Sequence, residues 1–249
     1  MMGLSHATSG LLAGCGLIAL TNAPLPVEAL TVALCGGGAM LCDIDHPSSK
    51  VARSLGVVTR VIAVGVAGLS VAVYHGTRTG RDPEDRRSGH RLLTHTIPGC
   101  VIFGVLVAVA VALGPVPAAV TCGLLVALMA DGIKVAGAGL AVTGGTVAYW
   151  ATGAHSGWWW LAGVAVTLGA LTHVAGDACT NSGVPLWWPL LVDGRRWHLV
   201  KTPATFSTGS AVETHVVTPL LGFGLLLAAS AVTGVLPAVI HALTAGRGG

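Results

Sequence analysis

Charge is the scarcest feature of this 249-residue sequence: only 9% of its residues are charged, whereas 53% are hydrophobic. Soluble domains carry roughly a quarter charged residues, so a soluble class is excluded. No polar block is long enough to form a separate globular unit, and we therefore expect one membrane-embedded domain over residues 1–249. The net charge of +3 is too small to indicate direct binding to nucleic acid.

Two further absences concern cysteine chemistry and processing. The six cysteines form no C-x-x-C pair and mostly lie inside apolar runs, a pattern typical of buried small hydrophobic residues. No basic residue precedes the first apolar run, and no small-residue cleavage site is evident before Asn22. We therefore expect the first run to be retained rather than removed as a signal peptide.

Long apolar runs dominate what is present, and prolines separate several of them. Some runs are shorter than the ~20 residues of a perpendicular membrane span. The 36 glycines suit transmembrane helices that approach one another closely. The sequence predicts an all-α, polytopic membrane bundle of about seven to eight hydrophobic helices, some short or partial. The runs lie at about 7–21, 27–42, 56–74, 97–113, 117–131, 133–150, 158–178 and 216–243.

The order of these runs predicts that the polar groups meet on one side of the membrane. If His6 marks the site side, the second helix returns to that side before Asp43. Run 56–74 either does not cross, or crosses and is brought back by the polar segment 76–89, and the later helices then alternate. Most basic residues fall on the site side, which the positive-inside rule makes cytoplasmic. These residues are Lys50, Arg53, Arg60, the arginines from Arg78 to Arg91, Lys134, Arg195, Arg196 and Lys201.

The segment His173-Val-Ala-Gly-Asp177 ends a strongly apolar run with residues that an apolar run does not need. A His and an Asp four residues apart lie on one face of a helix, where they could bind one cation. An unpaired carboxylate at bilayer depth would cost on the order of 3 kcal/mol, so a compensating partner is expected. The turn at Gly183 is expected to fold the following tail back over the end of this helix.

Three other segments carry similar groups. In Asp43-Ile-Asp45-His46-Pro47, Pro47 is expected to end the helix near Asp45. Two carboxylates then lie at the negative end of the helix dipole, where a cation would stabilise them. The alternative is a polar cap at the level of the lipid headgroups. His90 and His95 precede a helix with Pro98 in its first turn, and either these or His6 could instead be interfacial histidines.

Two further residues have candidate roles in chemistry. Arg91 could hold a phosphate or carboxylate, because its planar guanidinium offers two parallel hydrogen bonds. Glu213, before the last helix, could be a ligand, a general base or a capping residue, and the sequence does not separate these roles.

Together these motifs resemble the YdjM-like family of LexA-binding, inner-membrane-associated metal-dependent hydrolases. The resemblance rests on four motifs in order between His6 and about Pro189. The family is distantly similar to zinc-dependent phospholipases C and single-strand nucleases. The resemblance implies metal ligation by His6, Asp45, His95, His173 and Asp177. This chain departs from the family pattern at two places. It has Cys42-Asp43 where members often have Pro-Asp, and Thr96 where Ser commonly follows the second His. Neither change removes a ligand, but both leave the identity of the substrate open.

We therefore expect a metal-dependent hydrolase of the inner membrane that acts on a phosphoester, either a phospholipid or a lipid-linked phosphate, at the cytoplasmic face. Zinc suits the mixed ligands, and manganese or iron would also be tolerated. Asp43 or Glu213 would orient or deprotonate the attacking water. The alternatives are an ion or metal transporter and a non-catalytic anchor that recruits a cytosolic regulatory protein. The candidate metal ligands are His6, Asp45, His46, His90, His95, His173 and Asp177.

Overall fold

A computed structural model of the chain describes residues 1–54, 56–84, 89–155, 157–235 and 237–238. Within these ranges the protein is all-α with no β-strand, as predicted. The end of the last apolar run, and Arg86 and Arg87 of the polar segment, lie outside the described residues. The helices are α1 (Gly3–Ile18), α2 (Leu25–Leu41), α3 (Lys50–Arg53), α4 (Val57–Thr77), α5 (Ile97–Ala112), α6 (Pro115–Gly132), α7 (Gly137–Ala154), α8 (Trp158–Ala178) and α9 (Thr218–Val232).

Helix α2 lies at the centre of the bundle because its glycines admit other helices at backbone distance. A Cβ atom on Gly37 would lie 2.4 Å from the carbonyl oxygen of Leu125 in α6, and one on Gly38 would lie 2.6 Å from that of Val166 in α8. From the other side, a Cβ on Gly169 of α8 would lie 2.0 Å from the carbonyl oxygen of Cys35. Transmembrane helices pack through small residues in this way. The prediction from glycine content is confirmed here.

The outer helices expose apolar side chains, which is the arrangement expected of a surface in contact with lipid. Helix α9 has no buried residue, and Phe223 and Leu226 are among its exposed side chains. Five segments of the described chain are long and apolar enough to cross a membrane, judged by length and composition alone. They are Leu25–Asp45, Thr59–Thr77, Pro115–Gly132, Trp158–Ala178 and Glu213–Val232. The predicted number of seven to eight spans is therefore approximate.

Helix α4, the ambiguous third run, has both ends near the same end of the bundle. The hydroxyl of Thr59 donates to the carbonyl of Ala52, shortly after the turn that follows α2. At the other end, the hydroxyl of Thr77 accepts hydrogen bonds from the indoles of Trp188 and Trp197, which follow α8. The C-termini of α2 and α8 lie at one end of the bundle, so these contacts favour the alternative in which this run does not cross.

The tail after α8 folds back onto that end of the bundle. Gly183 has a φ of +67°, which glycine adopts without a steric penalty, and Val184 then enters the core beside Cys42 and Val174. The amide of Thr202 donates to the carbonyl of Ala178 at the end of α8. The tail therefore covers the end of the bundle at which the polar groups lie.

Candidate metal centre

The polar motifs converge on one end of the bundle. The contributing elements are the first turns of α1, the 3₁₀ turn Cys42–Asp45 after α2, the 3₁₀ turn Leu93–His95 before α5, and the last turns of α8. The 3₁₀ turn ends at Asp45, where Pro47 predicts the end of the helix, and Pro98 lies in the first turn of α5. These elements bring together His6, Asp43, Asp45, His90, Arg91, His95, His173 and Asp177.

Four ligand atoms form the centre of this cluster. Nε2 of His95 and Nε2 of His173 are 3.2 Å apart. Oδ2 of Asp177 lies 3.5 Å from the first nitrogen and 3.6 Å from the second. Oδ1 of Asp43 lies 3.9 Å and 3.5 Å from the same two atoms. Two imidazoles and two carboxylates thus direct one atom each toward a common point.

Two groups of three residues share this centre. His6 joins His173 and Asp177, and His90 joins Asp43 and His95; within each group the ligand atoms all lie within 4.8 Å of one another. Nε2 of His6 is 3.3 Å from Oδ1 of Asp177, while its Nδ1 is buried and makes no hydrogen bond with the described residues. The arrangement accommodates one ion at the shared centre or one ion in each group.

The outer nitrogen of each central histidine is already occupied. Nδ1 of His173 lies 2.6 Å from the carbonyl oxygen of Ala39, and because a carbonyl only accepts, Nδ1 carries the hydrogen. Nδ1 of His95 lies 2.9 Å from the hydroxyl of Thr94, which itself donates to Asp45. In metal sites, hydrogen bonds of this kind fix the tautomer and direct the other nitrogen toward the ion. Both Nε2 atoms are therefore presented to the centre.

Asp45 lies behind the centre rather than in it. Its Oδ1 is 2.9 Å from Nδ1 of His90, and its Oδ2 is 3.4 Å from Nδ1 of His95 and accepts a hydrogen bond of 3.1 Å from the amide of Arg91. The carboxylate is fully buried among these donors. It touches the outer side of two candidate ligand rings, which is the position of a residue that orients ligands.

Arg91 lines the centre from the loop side. Its guanidinium donates to the hydroxyl of Thr180 at 2.8 Å and forms an ion pair with Asp177 at 3.0 Å. The backbone of Arg91 has a φ of 58°, a conformation that L-residues rarely adopt, and the hydrogen bond that its amide donates to Asp45 stabilises it. The arginine is therefore held against a carboxylate of the centre.

Two predicted site residues lie apart from the central atoms. Glu213 is buried, and its two oxygens accept hydrogen bonds from the amides of Met2, at 2.6 Å, and Gly209, at 2.8 Å. Nδ1 of His46 contacts the hydroxyl of Ser48 at 2.9 Å, and its ring meets His90 edge-on at a centroid distance of 4.6 Å. In these positions, Glu213 anchors the start of α1 and His46 lies at the rim.

Comparison with protein families is consistent with this arrangement of motifs. The model of the family described as YdjM inner membrane protein matches residues 1–246. The chain belongs to the YdjM family. As a YdjM family member it is a membrane protein, which accounts for its low charge and its exposed apolar helices. Comparisons with curated proteins and with solved structures give no match.

Sequence reasoning assigned no role to three groups that position the centre of this YdjM protein. They are the hydroxyl of Thr94, the carbonyl of Ala39 and the hydroxyl of Thr180. Thr94 lies inside the His-Arg-Leu-Leu-Thr-His motif, so its place next to His95 was a usable signal. Every residue has a backbone carbonyl, so the sequence does not predict that the carbonyl of Ala39 contacts His173.

Electrostatics in the YdjM centre favour a positive charge. Burial alone would lower the pKa of His95, but the carboxylates of Asp45 and Asp177 outweigh it and raise the pKa of His95 to about 10. Three carboxylates, Asp43, Asp45 and Asp177, surround the ring. The carboxylates thus create a strongly cation-attracting environment at this end of the bundle.

Proposed function

We propose that this YdjM family protein is a metal-dependent hydrolase of the inner membrane that cleaves a phosphoester at the cytoplasmic face. The observation that carries the proposal is the group of four atoms from Asp43, His95, His173 and Asp177. They come from three separate parts of the chain, yet each lies within 3.9 Å of at least two others.

The spacing of these atoms fits a divalent cation. Zinc bonds to nitrogen and oxygen of about 2.0–2.2 Å, arranged as a tetrahedron, place neighbouring ligand atoms about 3.3–3.6 Å apart. The five separations that involve a histidine nitrogen, 3.2 to 3.9 Å, bracket that range. Zinc suits two imidazoles with two carboxylates, and manganese or iron tolerates the same ligands. His6 and His90 extend the set on either side and provide for a second ion.

The buried unpartnered nitrogen of His6 supports the same conclusion. Buried polar groups are normally hydrogen-bonded, and an unpaired one calls for a physical reason. Nδ1 of His6 has no hydrogen-bond partner among the described residues, while Nε2 faces Asp177. One ligand atom of this ring lies within 4.8 Å of those of His173 and Asp177. A cation bound there would be coordinated by the His6 ring, which otherwise has one nitrogen without a hydrogen-bond partner among the described residues.

The proposed chemistry distributes separate tasks among the surrounding residues. A divalent cation in such a site lowers the pKa of water and polarises a phosphoryl oxygen. Catalytic zinc sites use three protein ligands and leave the fourth position to water. With His95, His173 and Asp177 as the ligands, Asp43, the more exposed central carboxylate at 27%, would be placed to accept a proton from that water. Glu213 fits this task less well, because both of its oxygens already accept backbone amides. Arg91 would bind the phosphate, and Asp45 orients His90 and His95.

The location of the centre supports a membrane lipid as the source of the phosphoester. The site lies where the candidate spans Leu25–Asp45 and Trp158–Ala178 end, which supports a position at a membrane surface. A phospholipid or lipid-linked phosphate presents its phosphate at that depth. Arg53, Arg91, Arg195, Arg196 and Lys201 lie in segments at this end, and by the positive-inside rule this end faces the cytoplasm.

The decisive experiment is metal analysis of the detergent-purified protein and of His173→Ala and Asp177→Ala. His75→Ala is the matched control, because His75 is exposed on α4 and belongs to neither ligand group. We expect stoichiometric metal in the parent and the control and its loss in both site variants. Hydrolysis of phosphomonoester, phosphodiester and lipid substrates should fall in parallel.

Three results would overturn the proposal. Equal metal content in all four proteins would show that His173 and Asp177 do not bind the metal. Bound metal with no hydrolysis of any of the three substrate types would reject the enzymatic role. It would favour the alternative of a membrane anchor for a cytosolic regulatory protein. Metal-independent ion flux in proteoliposomes would instead favour transport.

A further inference from the structure

A large apolar groove lies next to the candidate metal centre and plays no part in the function proposed above. Its volume is about 730 Å³, within the range of about 300–1,000 Å³ that is typical of ligand pockets. Helices α4, α5 and α6 form its walls, and α7 begins at its edge. The side chains that line it are mainly aliphatic and include Ile62, Val66, Leu106, Leu124 and Leu128.

The groove opens sideways between helices rather than only at the end of the bundle. Ile62 on α4, Leu106 on α5 and Leu124 on α6 line it and are 49%, 60% and 39% exposed. Of these three helices, α6 contains a candidate membrane span, α5 is a shorter apolar helix, and α4 has both ends near the site end of the bundle. In a membrane, the medium that reaches such an opening is lipid.

The depth of the groove matches one leaflet of a bilayer. On α6 its lining runs from Asp131, near the site end, to Thr121. At a rise of 1.5 Å per residue, the ten steps from Asp131 to Thr121 span about 15 Å, which is half of the ~30 Å hydrocarbon core. That length fits one acyl chain of a glycerophospholipid and falls short of a long polyisoprenoid chain.

A single turn connects the groove with the metal centre. Ile44 lines the groove, and its two chain neighbours, Asp43 and Asp45, belong to the centre. In a 3₁₀ turn successive side chains point about 120° apart, so one residue faces the groove while its neighbours face elsewhere. A lipid with a chain in the groove would therefore have its phosphate at the level of these carboxylates and of Arg91.

The rim of the groove at this end is polar. Arg53 and Ser54 line it there, and both are exposed. Nε of Arg53 donates to the carbonyl of Ser49 at 3.3 Å, and the fork of a guanidinium offers further donors to a phosphate. An aliphatic groove with an arginine at its mouth offers a guanidinium to the phosphate of a phospholipid, and the half-buried Asp131 lines the same end on α6.

We propose that this groove binds one acyl chain of a membrane glycerophospholipid and thereby presents the phosphoester of that lipid to the centre. The role of the bound lipid as substrate rests on the hydrolase function proposed above, whereas the binding itself does not. The second acyl chain remains in the surrounding bilayer.

The test is photolabelling in nanodiscs with a phosphatidylglycerol that carries a diazirine in one acyl chain, used at low mole fraction. Lipid in a defined groove labels its walls saturably, and excess unlabelled phosphatidylglycerol competes, whereas lipid in the surrounding annulus does not saturate. We expect saturable labelling of the α5 and α6 peptides. The variants Leu124→Trp and Ala138→Trp, which place an indole in the groove, should reduce it about tenfold.

Val120→Trp is the matched control, because Val120 lies one turn from Leu124 on α6, is 57% exposed and does not line the groove. It should label like the parent. Ala138 is exposed at the start of α7, so its variant keeps the test available if Leu124→Trp does not fold. Labelling that never saturates, or that all three variants reduce equally, would overturn the groove as a lipid site.

Two further outcomes separate this proposal from the hydrolase function. Saturable labelling without hydrolysis of any lipid would leave the groove in place and reject the enzyme. Hydrolysis of short-chain soluble phosphoesters with no saturable labelling would retain the enzyme and reject the groove. Preferential competition by a polyisoprenyl phosphate would overturn the assignment to a glycerophospholipid.

Discussion

Nε2 of His95 and Nε2 of His173 face each other at 3.2 Å, although 78 residues separate them in the chain. Each ring is held from behind, His173 by the carbonyl of Ala39 and His95 by the hydroxyl of Thr94. Two nitrogens this close require a proton or a cation between them, since two lone pairs would repel. These contacts therefore hold together two nitrogens whose lone pairs would otherwise repel each other.

Asp45→Asn tests whether Asp45 orients ligands rather than binding the metal directly. Removing a group that holds ligating histidines typically weakens metal affinity by about 10–100-fold without abolishing it. We expect that intermediate loss, measured by competition with a chelator, against complete loss for His173→Ala. Glu28→Gln is the control, because it removes a carboxylate from the first turn of α2, the helix that precedes the turn of Asp45. Affinity equal to that of the parent, or complete loss of metal, would each contradict the orienting role.

Much of this arrangement could be predicted because membrane helices alternate in direction. Once His6 is assigned to one side, the order of apolar runs places Asp43, His95 and His173 on that same side. The backbone preferences of proline also predicted two helix boundaries. Pro47 marks the end of one helical segment and Pro98 the start of another, and the structure shows both. These predictions rest on covalent geometry and bilayer thickness, which do not depend on tertiary detail.

The tertiary roles of individual residues could not be predicted in the same way. The sequence gives Asp43 and Asp45 the same chemistry two residues apart, and only the packing of His90 and His95 places Asp45 behind the rings. The sequence likewise leaves three roles open for Glu213, and only the tertiary structure brings the amides of Met2 and Gly209 to its two oxygens. Helix α4 was ambiguous because hydropathy does not report which end of a bundle a helix end contacts.

Gly169→Ala tests the close packing of α2 against α8. The added methyl carbon would lie 2.0 Å from the carbonyl oxygen of Cys35, and a backbone atom cannot turn away as a flexible side chain can. Overpacking of this kind costs about 1–3 kcal/mol or more. We expect a clear decrease in melting temperature in detergent. Gly68→Ala is the control: no atom lies within 4 Å of a Cβ at that position, so stability should be unchanged or slightly higher. Equal melting temperatures for both variants would contradict the packing.

Asp82 should give the protein an acid-sensitive component of stability. Burial alone would raise the pKa of Asp82, but hydrogen bonds from the amides of Thr79, Trp197 and Arg196 lower it below its ordinary value of 3.8. A lowered carboxyl pKa stabilises the folded state above the unfolded pKa, and this stability is lost as pH falls toward the folded pKa.

Asp82→Asn should therefore decrease the free energy of unfolding at pH 7 by about 2 kcal/mol, since hydrogen bonds to charged groups contribute roughly 1.5–3 kcal/mol. The difference from the parent should decrease below about pH 4. Glu84→Gln is the control, because Glu84 is 90% exposed and its ion pair with Arg78 is long, at 3.9 Å. A difference that is independent of pH between 3 and 7 would contradict the charged hydrogen-bond network.

Arg91→Lys tests the proposed phosphate-binding role. Lysine keeps the positive charge but loses the planar fork that binds phosphate through two parallel hydrogen bonds. We expect the metal content to be unchanged and the affinity for inorganic phosphate, measured by calorimetry on the metal-loaded protein, to fall about tenfold. Arg78→Lys, which changes an arginine remote from the cluster, should bind phosphate like the parent. If Arg91→Lys instead lost its metal, the arginine would be supporting the ligand Asp177, with which it pairs at 3.0 Å, and the assignment to phosphate would fail.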